Sequence, residues 1–245
     1  MLKAAKSSLF QLEAMWCGKL TSGTGIRHDP ERVDALSALP VPSTVAELRY
    51  FVYSSSWLHD SLPDMHASLR LCRRGWVWMR KRIGRRNKNA LIVAVELSEA
   101  EVSSYNDVKT LIKVSVPLIF PSPTSELVVM TDASLTGWSI VVTEVENWDS
   151  SLRVDKQHHR MVICKGGTFK SSHLNWTIVE KEAFPIIKAY TELEYPLQRE
   201  RGFKLFCDHA NLIYIFAPHV GLKKHIRDRL QRWAMTSVHY RTRCG

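Results

Sequence analysis

The stretch that most restricts the fold is LVVMTDASLTGW, Leu127 to Trp138, where a run of apolar β-formers ends in an acid and small residues, a Gly and a Trp follow. Leu127–Asp132 reads as a strand. Two further β-branched segments, Trp138–Val145 and Arg160–Gly166, follow with Gly-containing turns between them, so three consecutive antiparallel strands are expected. NWTIVEKEAFPIIKAYTELEY then shows helical periodicity, with Thr177 and Glu180 spaced as a capping box. GFKLFCDHANLIYIF reads as a strand ending in Asp208 and a short apolar helix. The tail reads as an amphipathic helix, Leu222 to Met235, running into an incipient strand. The order β-β-β-α-β-α predicts an α/β layer architecture, a mixed sheet covered by helices.

Composition shifts at about Pro117 to Pro123. Upstream, short helical patterns alternate with Pro breaks: Asp29 and Pro30 can start one helix, and Ser43 with Glu47 stands before another. Arg73 to Lys88, RRGWVWMRKRIGRRNK, holds eight basic residues and no acid. A run of this kind is either a solvated face or a phosphate contact, with Arg80, Lys81 and Arg82 as its centre. In the tail, Lys223, Lys224, Arg227, Arg229 and Arg232 crowd one helix that can follow a phosphate backbone, a solvated face being the equal alternative. The whole chain carries 34 Lys and Arg against 24 Asp and Glu, a formal charge of +10, which favours an anionic partner such as nucleic acid.

Five scattered cysteines, Cys17, Cys72, Cys164, Cys207 and Cys244, lack zinc-site or disulfide-framework spacing and fit a reducing, intracellular compartment. No apolar run approaches the roughly 18 residues of a membrane span, and the N-terminus lacks a signal-peptide core.

Three acids stand out by position. Asp132 ends the first strand, Asp208 ends the fourth, and Glu182 lies early in the intervening helix. A helix crossing over between parallel strands makes the first and fourth strands neighbours, so the two aspartates emerge side by side. Clustered carboxylates repel, and a divalent cation removes the conflict. Oxygen ligands without His or Cys spacing select Mg²⁺ or Mn²⁺ over Zn²⁺. Two such ions suit phosphodiester cleavage. The plainer alternative is that strand-end acids cap turns or face solvent.

In chain order, TDAS and Gly137 at Thr131–Gly137, NWTIVEKEAF at Asn175–Phe184 and FCDHANLIYIF at Phe206–Phe216 resemble the ribonuclease H region of gypsy-type LTR retrotransposon polyproteins. Upstream, Cys17 to Asp64 resembles the segment joining that family's reverse-transcriptase palm to its ribonuclease H domain. The resemblance implies residues 1–116 as a small, mostly helical connection segment with a basic insertion. It implies 117–245 as a C-terminally truncated, ribonuclease H-like domain that cuts RNA in RNA–DNA hybrids with metal held by four carboxylates.

Three of these fall on Asp132, Glu182 and Asp208. Glu180 competes with Glu182, and because residues two apart on a helix point about 200° from each other, only one can face the metal. The family's fourth carboxylate follows the last strand in an ADALSR-like motif that this sequence does not show; Asp228, on the preceding helix, has no motif that makes it a substitute. Weak or absent activity is therefore expected, with a non-catalytic nucleic-acid-binding remnant, or a piece that is no functional unit, as alternatives. The paired-aspartate polymerase motif is absent from these residues, so no polymerase activity is expected. The rest of the polyprotein is the other implied partner.

Remaining candidates carry less. His158 and His159 read as loop residues, Trp138 and Trp176 as core-edge aromatics with base stacking as the alternative. His209 is suited either to approach the substrate or to a structural role beside a helix start. Pro185 removes a helical hydrogen bond, at a cost of about 3 kcal/mol unless it lies near the first turn.

Overall fold

The computed structural model describes residues 10–58, 61–62, 93–209, 212, 230, 233 and 242–244. The basic run with Arg80, Lys81 and Arg82, the tail cations Lys223, Lys224 and Arg227, Asp228 and the segment after His209 that reads as a short helix lie outside them, apart from single helical positions at Leu212, Leu230 and Trp233.

The N-terminal part opens with a meander: β1 (Glu13–Trp16), β2 (Lys19–Ser22) and β3 (Gly25–His28), all antiparallel. Cys17 and Gly18 both have positive φ, 50° and 74°, the backbone of a two-residue primed turn whose twist matches the paired strands. A fourth strand, β4 (Leu118–Ile119), joins the far edge by pairing with β3. Gly25 permits this contact, because a Cβ there would meet the Leu118 carbonyl oxygen at 2.2 Å. The three strands β1 to β3 stand in a segment, 1–116, expected to be mostly helical. β4 lies in the Pro117–Pro123 stretch where the composition shifts.

Among the described residues, α1 (Pro30–Ala38), α2 (Val45–Ser56) and α3 (Glu99–Lys113) follow the meander. Asp29 caps α1, as expected, with its carboxylate accepting from the Glu31 N–H. The cap of α2 is Thr44 rather than Ser43, although the Ser43 hydroxyl also donates to Glu47 at 3.0 Å. Val45, Leu48, Phe51 and Val52 form one buried stripe on α2 and meet Tyr105, Val108 and Ile112 of α3, closing a core of their own. The Tyr105 hydroxyl is satisfied at this buried position by donating to the Pro40 carbonyl at 2.8 Å.

The second sheet contains β5 (Glu126–Ala133), β6 (Gly137–Val145), β7 (Arg160–Thr168), β8 (Phe203–Cys207) and β9 (Thr242–Cys244), in the order β7-β6-β5-β8-β9. The antiparallel β5–β6–β7 meander matches the expectation, and the parallel β5–β8 pair supplies the predicted neighbours. The incipient strand of the tail is β9, parallel to β8. Between β7 and β8 come the short α4 (Ser171–Leu174), then α5 (Ile178–Glu192) and the short α6 (Glu194–Leu197). Leu127, Val129, Ile140, Val142, Phe203 and Leu205 form the floor of a second core, on which Ala183, Ile186, Ala189 and Tyr190 of α5 lie. The mixed α/β sheet expected from the strand order is present.

Pro185 is buried well inside α5, beyond its first turn. It removes the N–H that would pair with the Lys181 carbonyl, and the helix nevertheless continues to Glu192.

Candidate metal and nucleic-acid site

The parallel register fixes the two aspartates. Thr131 pairs with Cys207, so the next residue on each chain, Asp132 and Asp208, leaves the same end of two adjacent strands. Both acids are exposed, Asp208 with 70% of its side chain accessible. The turn after Asp132 is pinned by Lys181, whose ammonium donates to the Leu135 carbonyl at 3.1 Å.

The helix start places Glu180 and Glu182 in different surroundings. Thr177 caps α5: its hydroxyl accepts from the Glu180 N–H, and the Glu180 carboxylate accepts from the Thr177 N–H and hydroxyl, both at 2.9 Å. Glu180 is thereby committed to the cap. Glu182, on the other side of the helix, is only 6% exposed and turns toward the strand ends, where it accepts the Ala133 N–H. Its Oε2 is buried without a hydrogen-bond partner. Such an orphaned carboxylate oxygen is costly unless something fills the gap. Thr177→Ala is expected to lower stability by about 1 kcal/mol by opening this cap, read as a shift of the urea midpoint.

Burial, then the charges of Asp208 and Asp132, push the Glu182 carboxyl up to about 7, against the opposing pull of the Ala133 N–H. The unfolded chain ionises this group at an ordinary carboxylate pH. The metal-free fold therefore binds more protons than the unfolded chain, and it loses stability as pH rises from about 4.5 to about 7. Glu182→Gln is expected to remove that loss. Without divalent cations the variant should exceed the wild type by about 2 kcal/mol near pH 8 and by little near pH 5, the exposure of both aspartates tempering the full shift. Thermal melts at the two pH values check this, and equal pH slopes for the two proteins would count against it.

An aromatic cluster holds the start of α5 in place. Phe184 meets Trp138 and Trp176 edge-on, each at 5.6 Å between ring centroids, and Trp176 meets Trp233 at 5.5 Å. Trp138 and Trp176 thus stand at the core edge. His158 and His159 lie in a loop, where His159 bridges Thr143 Oγ1 at 2.7 Å and the Val154 carbonyl at 2.6 Å.

Ligand atoms of Glu182, Asp208 and His209 all lie within 4.8 Å of one another, and Asp132 acts on Glu182 through its charge. Two carboxylates, a third nearby and one imidazole are a donor set that could hold a divalent cation, and the orphaned Glu182 oxygen is a buried acceptor such an ion would satisfy. His209 had two readings from sequence, and its nearness to Glu182 and Asp208 is a feature that strand and helix periodicity do not reveal.

Residues 122–240 match the family model of the RNase H-like domain found in reverse transcriptase. Two Drosophila melanogaster sequences align with 93% of the chain: the retrovirus-related Pol polyprotein from transposon opus, 25% identical over 231 residues, and that from transposon gypsy, 23% identical over 230. The chain spans about a fifth of the length of each, 21% and 20%. Among solved structures, the foamy viral protease-reverse transcriptase in complex with RNA/DNA hybrid matches 98% of this chain and 30% of its own, with a TM-score of 0.66 and 15% identity. The same protein in complex with dsDNA matches with a TM-score of 0.66 at 15% identity, over 98% of this chain and 46% of its own. At that identity the likeness is one of fold. Among the described residues no helix is long and apolar enough to cross a membrane.

Proposed function

The chain belongs with the retrotransposon polyproteins, and its residues 122–240 with the RNase H-like domains of reverse transcriptases; from that premise we propose that it hydrolyses RNA in RNA–DNA hybrids with Mg²⁺ or Mn²⁺ as cofactor. The observation that carries the reading is the buried Glu182 carboxylate, with one oxygen unpartnered, close enough to two strand-end aspartates for their charges to act on it. When bound, divalent cations activate water and stabilise the leaving oxygen at a phosphate. Asp132, Glu182 and Asp208 would hold them. Glu182 supplies the one buried anchor, while the exposed aspartates leave the outer side of the site open to a duplex backbone. Recognition would run through phosphate and 2′-hydroxyl contacts rather than base edges. The excess positive charge of the chain supports it, with Arg80, Lys81, Arg82, Lys223, Lys224 and Arg227 as the proposed phosphate contacts.

We assign 1–116 to the connection segment and 117–245 to the ribonuclease H-like domain, with β4 reaching back from the second to the first. Three carboxylates make weak turnover the expectation for these 245 residues. The test is cleavage of a labelled hybrid with Mg²⁺ or Mn²⁺. A folded protein that binds hybrid, indifferent to divalent cations and without cleaving it, would instead support the non-catalytic reading, in which affinity falls steeply with salt.

A further inference from the structure

The tightest group of donors at the site is not the three acids. It is Glu182, Asp208 and His209, and the histidine is not among the residues assigned above to hold the ions. The Nδ1 of His209 lies 3.9 Å from Asp208 Oδ1. Two donors each about 2.1 Å from one ion are about 3.0 Å apart when adjacent and about 4.2 Å apart when opposite, so a separation of 3.9 Å lies within the span that small side-chain rotations adapt to one cation.

The backbone around His209 is tied down as well. Its carbonyl accepts the Leu212 N–H at 2.9 Å and the Cys207 thiol at 3.6 Å, which fixes the turn leaving β8 and with it the root of the ring. The ring itself is 32% accessible, and so partly withdrawn from water while still reachable by an ion. Glu182, the third donor, is 6% exposed with its Oε2 unpartnered.

We propose that His209 is a nitrogen ligand of this site, and that the site therefore takes Mn²⁺ in preference to Mg²⁺. Mg²⁺ holds oxygen donors and keeps much of its water, whereas imidazole suits transition ions. The proposal rests on the reading of the cluster as a divalent-cation site. It adds a donor of a different kind, supplied by the residue next to Asp208.

The test reads the metal directly. Protein with ¹⁵N-labelled histidine imidazoles is loaded with Mn²⁺ and measured by pulsed electron paramagnetic resonance, and Mn²⁺ and Mg²⁺ affinities are determined for the wild type, His209→Ala and Asp208→Asn. Expected are a nitrogen coupling in the wild type, its loss in His209→Ala, and a Mn²⁺ affinity about tenfold or more lower in that variant. Mg²⁺ affinity should change by less than about threefold. His209→Asn serves if the alanine variant does not fold, and the wild-type coupling needs no variant. Mn²⁺ bound to the folded wild type without nitrogen coupling overturns the assignment of His209. It leaves the carboxylate site standing if Asp208→Asn still weakens binding. Equal losses of both ions in His209→Ala also overturn it, since that is what a merely positioning residue would give. A folded wild type that binds neither ion overturns both this inference and the reading beneath it.

Discussion

Asp208→Asn is expected to lower any hybrid cleavage by this chain by about 100-fold or more, with hybrid binding changed little. Asparagine keeps the size and one oxygen but removes the negative charge, so it separates the electrostatic role from shape. Asp208 is 70% accessible and its side chain is absent from both cores, so the substitution leaves the fold intact. Removing it also relieves Glu182 of the larger of its two repulsions. The Asn protein should therefore be slightly more stable than the wild type without divalent cations, and it should gain less when they are added. Asp132→Asn should behave in the same way for cleavage, with a smaller relief of Glu182. The readings are single-turnover cleavage of labelled hybrid, filter binding and melts with and without cation. Cleavage that survives both substitutions would mean that the strand-end pair is not the catalytic site.

A second large effect is expected far from that site, at the opposite end of β6. Glu144 is fully buried, and Arg160 of β7 donates to it as well as to Glu146. The Ser122 N–H at 2.8 Å and the Ser125 hydroxyl at 2.9 Å complete its shell, and Arg199 holds the Ser122 carbonyl. Burial alone would raise the Glu144 carboxyl; the Arg160 hydrogen bond, with Ser122 and Ser125, holds it below the ordinary range instead. Arg160→Ala leaves the charge in place without its cation and is expected to cost about 3 kcal/mol. That is the low end for a broken buried pair, because Arg160 is 40% accessible and water can partly replace it. Adding Glu144→Gln should return more than 1 kcal/mol of the loss in urea unfolding. The sign with pH is the reverse of that for Glu182: a depressed carboxylate contributes above its unfolded pKa, and the contribution fades as pH falls through the folded value. A double variant less stable than the single one would refute this account.

The part of the fold most readable from sequence was the part with strong local signals. β5 to β7 are apolar and β-branched with small residues at the turns, and the capping box of α5 is spelled out by Thr177 and Glu180. That same box bears on the choice between Glu180 and Glu182, because it binds the Glu180 carboxylate to the helix start and leaves Glu182 as the proposed ligand. The N-terminal meander gave no comparable signal. β1 is exposed along its whole length, so nothing in EAMW alternates, and β4 is two residues whose strand character exists only because β3 lies beside it. Thr44 and Ser43 both bond Glu47, and sequence spacing alone does not separate them. His209 was visible as a residue but not as a neighbour of Glu182, since its position depends on how α5 crosses the sheet.

The parallel pairing of β5 with β8 sets an order of events during synthesis. Asp132 leaves the ribosome before β6, β7 and α5, and Asp208 after them, so the first acid has no partner while that whole intervening stretch is made. Closing that long loop is entropically costly and must precede any contact between the two strand ends. The acids are thus brought together late, after α5 has a sheet to rest on, and the two strand ends stay apart in the nascent chain until the central parallel strands β5 and β8 have docked.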